Sequence, residues 1–110
     1  MGRSYIPEAG DVVWISFGLQ AGREQAGQRP AVVLRPAVYN LKTGLMICCP
    51  MTSHSKGYPF EVLVGSPASS AILADRVKNL DWRARNAKRK GRVSDAELAE
   101  VRGKLRALIG

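Results

Sequence analysis

Apolar and polar positions alternate in short runs through most of the chain, then change period near the end. Residues 11–17 (DVVWISF) are dense in β-branched and aromatic side chains and predict a strand. Residues 30–36 (PAVVLRP) predict a second, with prolines at both ends where no interior ladder bond is lost. Residues 45–50 (LMICCP) predict a third, reached through a turn-like segment at 40–44 closed by Gly44. Residues 59–64 (PFEVLV) predict a fourth, and 71–80 have room for one or two more. Short strands at this spacing favour a small barrel or sandwich over a doubly wound sheet.

Beyond residue 92 the period becomes helical. Ser94 with Glu97 forms a capping box, and Val93 with Leu98 occupies the positions of a hydrophobic staple. Leu98, Val101, Leu105, Leu108 and Ile109 then recur on one helical face. Gly103 costs this helix about 1 kcal/mol relative to Ala, so packing must hold it. The expected fold is mainly β, closed by a C-terminal helix. Residues 18–29 (GLQAGREQAGQR) fit neither period, and a long polar loop with three glycines is either a functional segment or a loose hairpin tip.

The 110 residues suffice for one domain, 1–110, with a modest core. No apolar run approaches the roughly 20 residues that a membrane span needs. The first residues carry no apolar stretch of the kind that directs secretion. Cys48 and Cys49 are neighbours in a strand and so point to opposite faces, which disfavours a mutual disulfide. With His54 the only histidine and no spaced cysteine pairs, the sequence predicts no metal site and no cofactor. Reduced thiols and a cytoplasmic location follow.

Charge sharpens the picture. The net charge is +8, but residues 1–75 hold six basic side chains against five acidic ones. Residues 76–110 hold eleven against four, with Arg83, Arg85, Lys88, Arg89, Lys90 and Arg92 crowded together. Such a field suits a polyanion, nucleic acid or an acidic protein segment, and equally suits a surface that merely stays soluble.

If the polyanion is RNA, metal-free cutting needs a base for the ribose 2′-OH, donors for the phosphorane oxygens and an acid for the departing 5′ oxygen. A histidine pair is impossible here. Glu24 offers an acceptor, Arg23 and Arg29 are donors, and Thr52 and Ser53 put two hydroxyls at the end of the third strand. An Arg and a Thr at facing strand ends would suit a phosphate, because Arg supplies a planar fork and Thr a short donor. Spacing alone does not separate this set from an ordinary solvated surface. Tyr58, beside Lys56 and Gly57, is a candidate platform for a splayed base. Trp14 and Phe17 read as core, Trp82 as the anchor of a loop or dimer contact, and His54 as surface.

A longer pattern narrows the choice. The segment EQAGQRPAVVL at 24–34 resembles the E-Q-x-G-x-R-P-x-V-V-L signature of the MazF/PemK family of toxins. GDVVW at 10–14, YNLKTG at 39–44, SKGYPFEV at 55–62, ADRVK at 74–78 and DWRAR at 81–85 agree with it in order and spacing. The likeness runs from about residue 5 to the last residue, and is greatest to the ACA-cutting MazF branch.

The resemblance implies an SH3-like β-barrel with helices, assembled as a homodimer. It implies a sequence-specific, metal-independent endoribonuclease that cuts single-stranded mRNA, leaving a 2′,3′-cyclic phosphate and a 5′-hydroxyl. By position, Arg29 and Thr52 match the family's pair at the scissile phosphate, and Glu24 matches an acidic residue that acts as base or orients Arg29. Gln25, Ser53, Lys56, Tyr58 and Asp75 fall on the RNA side of the same pattern. The PemK branch also uses a His before the Glu and an Arg two positions before the Asp; here those positions hold Arg23 and Leu73. The basic residues Arg85, Lys88, Arg89, Lys90 and Arg92 would track RNA phosphates or receive the acidic C-terminal tail of a MazE-like antitoxin. There are two rivals: a non-catalytic nucleic-acid-binding barrel, which the composition permits but which leaves the Glu24/Arg29/Thr52 set without a reason, and a gyrase poison of the CcdB kind, which shares the fold and dimer but against which the E-Q-x-G-x-R-P match argues.

Overall fold

The computed structural model describes residues 5–16, 27–65 and 68–110. Among the described residues seven strands pair into an antiparallel sheet: β1 (Asp11–Ser16), β2 (Gln28–Val33), β3 (Leu45–Thr52), β4 (Glu61–Val64), β5 (Ser70–Leu73), β6 (Lys78–Asp81) and β7 (Lys88–Arg92). The α-helices α1 (Ala37–Thr43) and α2 (Asp95–Ile109) accompany it. The strand order is β4-β5-β3-β2-β1-β7, with β6 also bonded to β3. The eight residues of β3 serve two neighbours along one edge. Leu45 to Cys48 pair with β6, whereas Met51 and Thr52 pair with β5. That division curls the sheet into a half-barrel, the mainly β architecture expected.

Alternation along the strands gives each face its own core. Val12, Val32, Cys49, Val62 and Ile72 share one cluster with Leu98 and Val101 of α2. Val13, Ile15, Ala31, Val33, Met46, Cys48 and Trp82 form the other. Cys48 and Cys49 therefore face opposite cores as free thiols, and burial pushes them up to about 11 and about 12 respectively.

Several expectations shift in detail. The second strand lies earlier than expected, so Pro30 falls inside β2, opposite Trp14 of β1. Pairing of β2 with β3 begins only at Ala31, so the missing proline N–H falls beside that ladder's end. The turn expected at 40–44 is the second half of α1, ended by Gly44 in the left-handed conformation (φ 74°). Its exposed Val38, Tyr39 and Leu41 gave no helical stripe to read. Asn40 holds it instead: its buried side-chain amide donates to the carbonyls of Pro7 and Arg35, both at 2.8 Å. Trp82, buried, donates its indole N–H to the Asn40 carbonyl at 2.8 Å, the loop anchor expected of it.

The capping box of α2 is present. Ser94 Oγ accepts the Glu97 N–H at 3.0 Å, and the Glu97 carboxylate accepts the Ser94 N–H at 2.8 Å. Val93 and Leu98 are both buried in one cluster, completing the staple. The expected apolar face divides, however. Leu98, Val101 and Leu105 pack on the sheet, while Leu108 and Ile109 are exposed, Ile109 at 75%. Among the described residues, no helix is long and apolar enough to cross a membrane.

Candidate active site

The last residue of β3, Thr52, leads into a tight turn through Ser53 and His54. Thr52 Oγ1 accepts the His54 backbone N–H at 3.1 Å, which orients the hydroxyl and leaves it a proton to donate. On the other side of Thr52 stands β2. The register that pairs Ala31 with Pro50, continued two residues past its last pair, sets Arg29 across from Thr52. Both then belong to the sheet face of Ala31 and Cys48. Arg29 is exposed and Thr52 half-buried.

A cleft of about 180 Å³ opens beside this strand end. Thr52, His54, Lys56 and Tyr58 line it from β3 and the loop that follows. Phe60, Glu61, Leu73 and Arg76 close its far side. Tyr58 and Phe60 stack with centroids 5.2 Å apart and planes 22° apart, and Tyr58 stays 50% exposed. An exposed aromatic face beside two cations, Lys56 and Arg76, can stack a base while the cations hold its phosphates.

One carboxylate shapes the cleft. Glu61, 8% exposed, accepts the Ser55 hydroxyl at 2.7 Å and the Gly57 N–H at 3.1 Å. The Lys56 N–H lies 3.1 and 3.2 Å from its two oxygens. The Ser55 hydroxyl, then the backbone N–H groups of Lys56 and Gly57, hold this carboxyl below the usual carboxylate range. So held, Glu61 is a poor base but a strong clamp. It fixes the loop that carries Lys56 and Tyr58. The sequence did not single Glu61 out, because its partners Ser55, Lys56 and Gly57 reach it only through the fold of the loop.

The remaining expected site residues divide. Glu24 and Gln25 lie outside the described residues. Ser53 is exposed, with its Oγ 3.1 Å from His54 Nδ1. His54 is exposed, as expected of a surface residue, but it lines the cleft. Asp75 is exposed on the 3-10 turn Ala74–Arg76, whereas the cleft takes its neighbour Arg76, which the sequence reading did not single out. Among the described residues no three His, Cys, Asp or Glu side chains gather as a metal set would require.

The basic segment becomes β7, an edge strand whose charges suit an unpaired sheet margin. Much of that charge is already engaged within the chain. Asp11, 4% exposed, takes Arg89 and Arg92 at 3.5 Å each, the Glu8 N–H at 3.1 Å and the Tyr5 hydroxyl. Burial and then this contact with Asp11 raise the Tyr5 phenol above its ordinary range. Arg92 also donates to the Ala9 carbonyl at 3.0 Å, and Arg85 to that of Ser16 at 3.2 Å. Lys90 lies 5.2 Å over the Trp14 ring. These arginines thus fasten β7 and its flanks to the rest of the sheet, a role that charge counting did not reveal.

Comparison with known proteins agrees with this architecture. The model of the PemK-like, MazF-like toxins of type II toxin–antitoxin systems matches residues 8–109. The endoribonuclease toxin MazF of Escherichia coli (strain K12) is 50% identical over 107 residues, covering 96% of each chain. A crystal structure of MazF from Deinococcus radiodurans superposes with a TM-score of 0.86 at 52% identity, covering 97% of this chain and 99% of that one. MazF in a MazE–MazF crystal structure from the same organism gives 0.88 at 51% identity, covering 96% and 98%. With its half-barrel, its C-terminal helix and a match over nearly the whole chain, the protein belongs to the PemK/MazF family of type II toxin–antitoxin toxins.

Proposed function

We propose that this protein is a metal-independent endoribonuclease that cuts single-stranded mRNA in the cytoplasm as the toxin of a toxin–antitoxin pair. The observation that supports the reading is the cationic, aromatic cleft at Thr52, on the strand whose register with β2, continued two residues, sets Arg29 across from it. The endoribonuclease names of the half-identical relatives support it. In this reading the ribose 2′-OH attacks the adjacent phosphorus and the P–O5′ bond breaks, leaving a 2′,3′-cyclic phosphate and a 5′-hydroxyl. Arg29 grips the non-bridging oxygens with its planar fork, and Thr52 donates a short third bond as charge accumulates there. Glu24 takes the 2′ proton or orients Arg29. Lys56 and Arg76 track neighbouring phosphates, and Tyr58 stacks a flanking base. Recognition of an ACA-containing word accords with the motif likeness at 24–34.

The MazE–MazF complexes of relatives support a cognate antitoxin, and the exposed cations of β7 would suit an acidic tail on it. A homodimer is supported by a groove running from the start of α1 to the end of α2, in which Leu34, Pro36, Ile47, Leu105 and Ile109 lie among Arg35, Arg102 and Arg106. The test is incubation of purified protein with a long RNA in EDTA, followed by mapping of the new 5′ ends. Discrete cuts after one short word are expected. RNA left intact at high protein concentration overturns the reading and favours a non-catalytic binding barrel.

A further inference from the structure

We infer that His54 is a catalytic residue of this site, the general acid that protonates the departing 5′ oxygen; the inference rests on the endoribonuclease reading above. Three observations carry it. His54 lines the same cleft as Thr52, and its backbone N–H is bonded to the Thr52 hydroxyl, so the two side chains leave positions two apart at one strand end. Its ring is also oriented: Nδ1 lies 3.1 Å from Ser53 Oγ, which directs the proton-carrying role to Nε2. Finally, it is the chain's only imidazole, in a cleft otherwise lined by groups unsuited to giving a proton near neutrality.

Those other groups are few. Lys56 and Tyr58 come from the loop after His54, Arg76 from the 3-10 turn, and Arg29 stands across the strand pair. Lysine, tyrosine and arginine ordinarily give up protons only far above neutral pH, so they bind charge well and transfer protons poorly. Glu61 has its oxygens occupied by Ser55, Lys56 and Gly57. Imidazolium alone matches the task.

The proton count closes. A general base accepts the 2′ proton as O2′ bonds to phosphorus. His54 gives its Nε2 proton to O5′ as the P–O5′ bond breaks. The two residues then regain their starting forms by exchange with water. No oxidant, reductant or metal enters.

The experiment compares wild type with His54→Gln in single-turnover cleavage of a short RNA in EDTA, with thermal melting to confirm that both are folded. His54→Gln should cut at the same position roughly 100-fold or more slowly, with KM unchanged. A substrate whose 5′ bridging oxygen is replaced by sulfur has a leaving group that needs no proton, and should restore the variant to near the wild-type rate. A variant that cuts ordinary RNA at the wild-type rate, or stays equally slow on the sulfur substrate, overturns the assignment while leaving the endoribonuclease reading intact. Failure of wild type itself to cut overturns both.

Discussion

Asp11 and Arg92 are register partners at the edge of the sheet, and the buried carboxylate of one meets the guanidinium of the other at 3.5 Å. The pair ties β7 to β1 beside a bulge between Val12 and Val13, where the ladder is locally irregular. Because Arg92 is about half exposed, its contribution is that of a charge-assisted hydrogen bond partly screened by water. Arg92→Ala should lower stability by about 1–2 kcal/mol. Asp11→Asn should cost at least as much, since Arg89 and Tyr5 lose the same partner. The double variant should be less damaging than the sum, which denaturant unfolding of the four proteins would measure.

Lys88 is the cleaner probe of partner binding. It is exposed on β7, whereas Arg89 and Arg92 are engaged by Asp11. Lys88→Ala should leave the melting temperature nearly unchanged and weaken binding of an acidic antitoxin tail. Titrations at two salt concentrations should also show a shallower salt dependence for this variant. Equal affinity at both salts would count against an acidic ligand on β7.

Glu61 makes the cleft loop sensitive to acid. Its folded carboxyl titrates below its unfolded value, so its stabilising contribution is complete above the ordinary carboxylate range and is lost as pH falls through the folded value. The amides of Lys56 and Gly57, which donate to it, should exchange faster with solvent once Glu61 is protonated. Amide exchange measured from pH 6 downward would show this, and Glu61→Gln should show weakened protection already at pH 6.

The α2 cap offers a purely structural control. Ser94→Ala removes one partner of the capping box and should cost about 1 kcal/mol, with the cleft untouched. Thermal melting should register a fall of roughly 4–8 °C. RNA cleavage below that transition should proceed at the wild-type rate.

Much of this was legible in the sequence, and for identifiable reasons. β1, β2 and β3 announce themselves because each is buried on both faces and so built from continuous apolar residues. The α2 cap was readable because Ser94 and Glu97 form it from residues three apart. β7 escaped notice because KRKGR has no apolar alternation; an edge strand needs none when neighbours tie it down by charge. α1 escaped because its exposed Val38, Tyr39 and Leu41 give no buried stripe, while Asn40, a poor helix former, secures it through tertiary bonds. In the site, Arg29 and Thr52 were singled out by the family resemblance and not by their spacing, and the β2–β3 register, continued two residues, sets them across from one another. Arg76 and His54 reach the cleft through a 3-10 turn and a sharp bend, which no periodicity encodes.

The most direct test of the account is single-turnover RNA cleavage by wild type, Arg29→Ala, Thr52→Ala and the double variant, each shown to be folded. Because both side chains are assigned to one phosphate, each single variant should be slowed roughly 100-fold or more, and the double variant far less than the product of the two losses. A folded Arg29→Ala or Thr52→Ala protein that cuts at the wild-type rate would contradict the account.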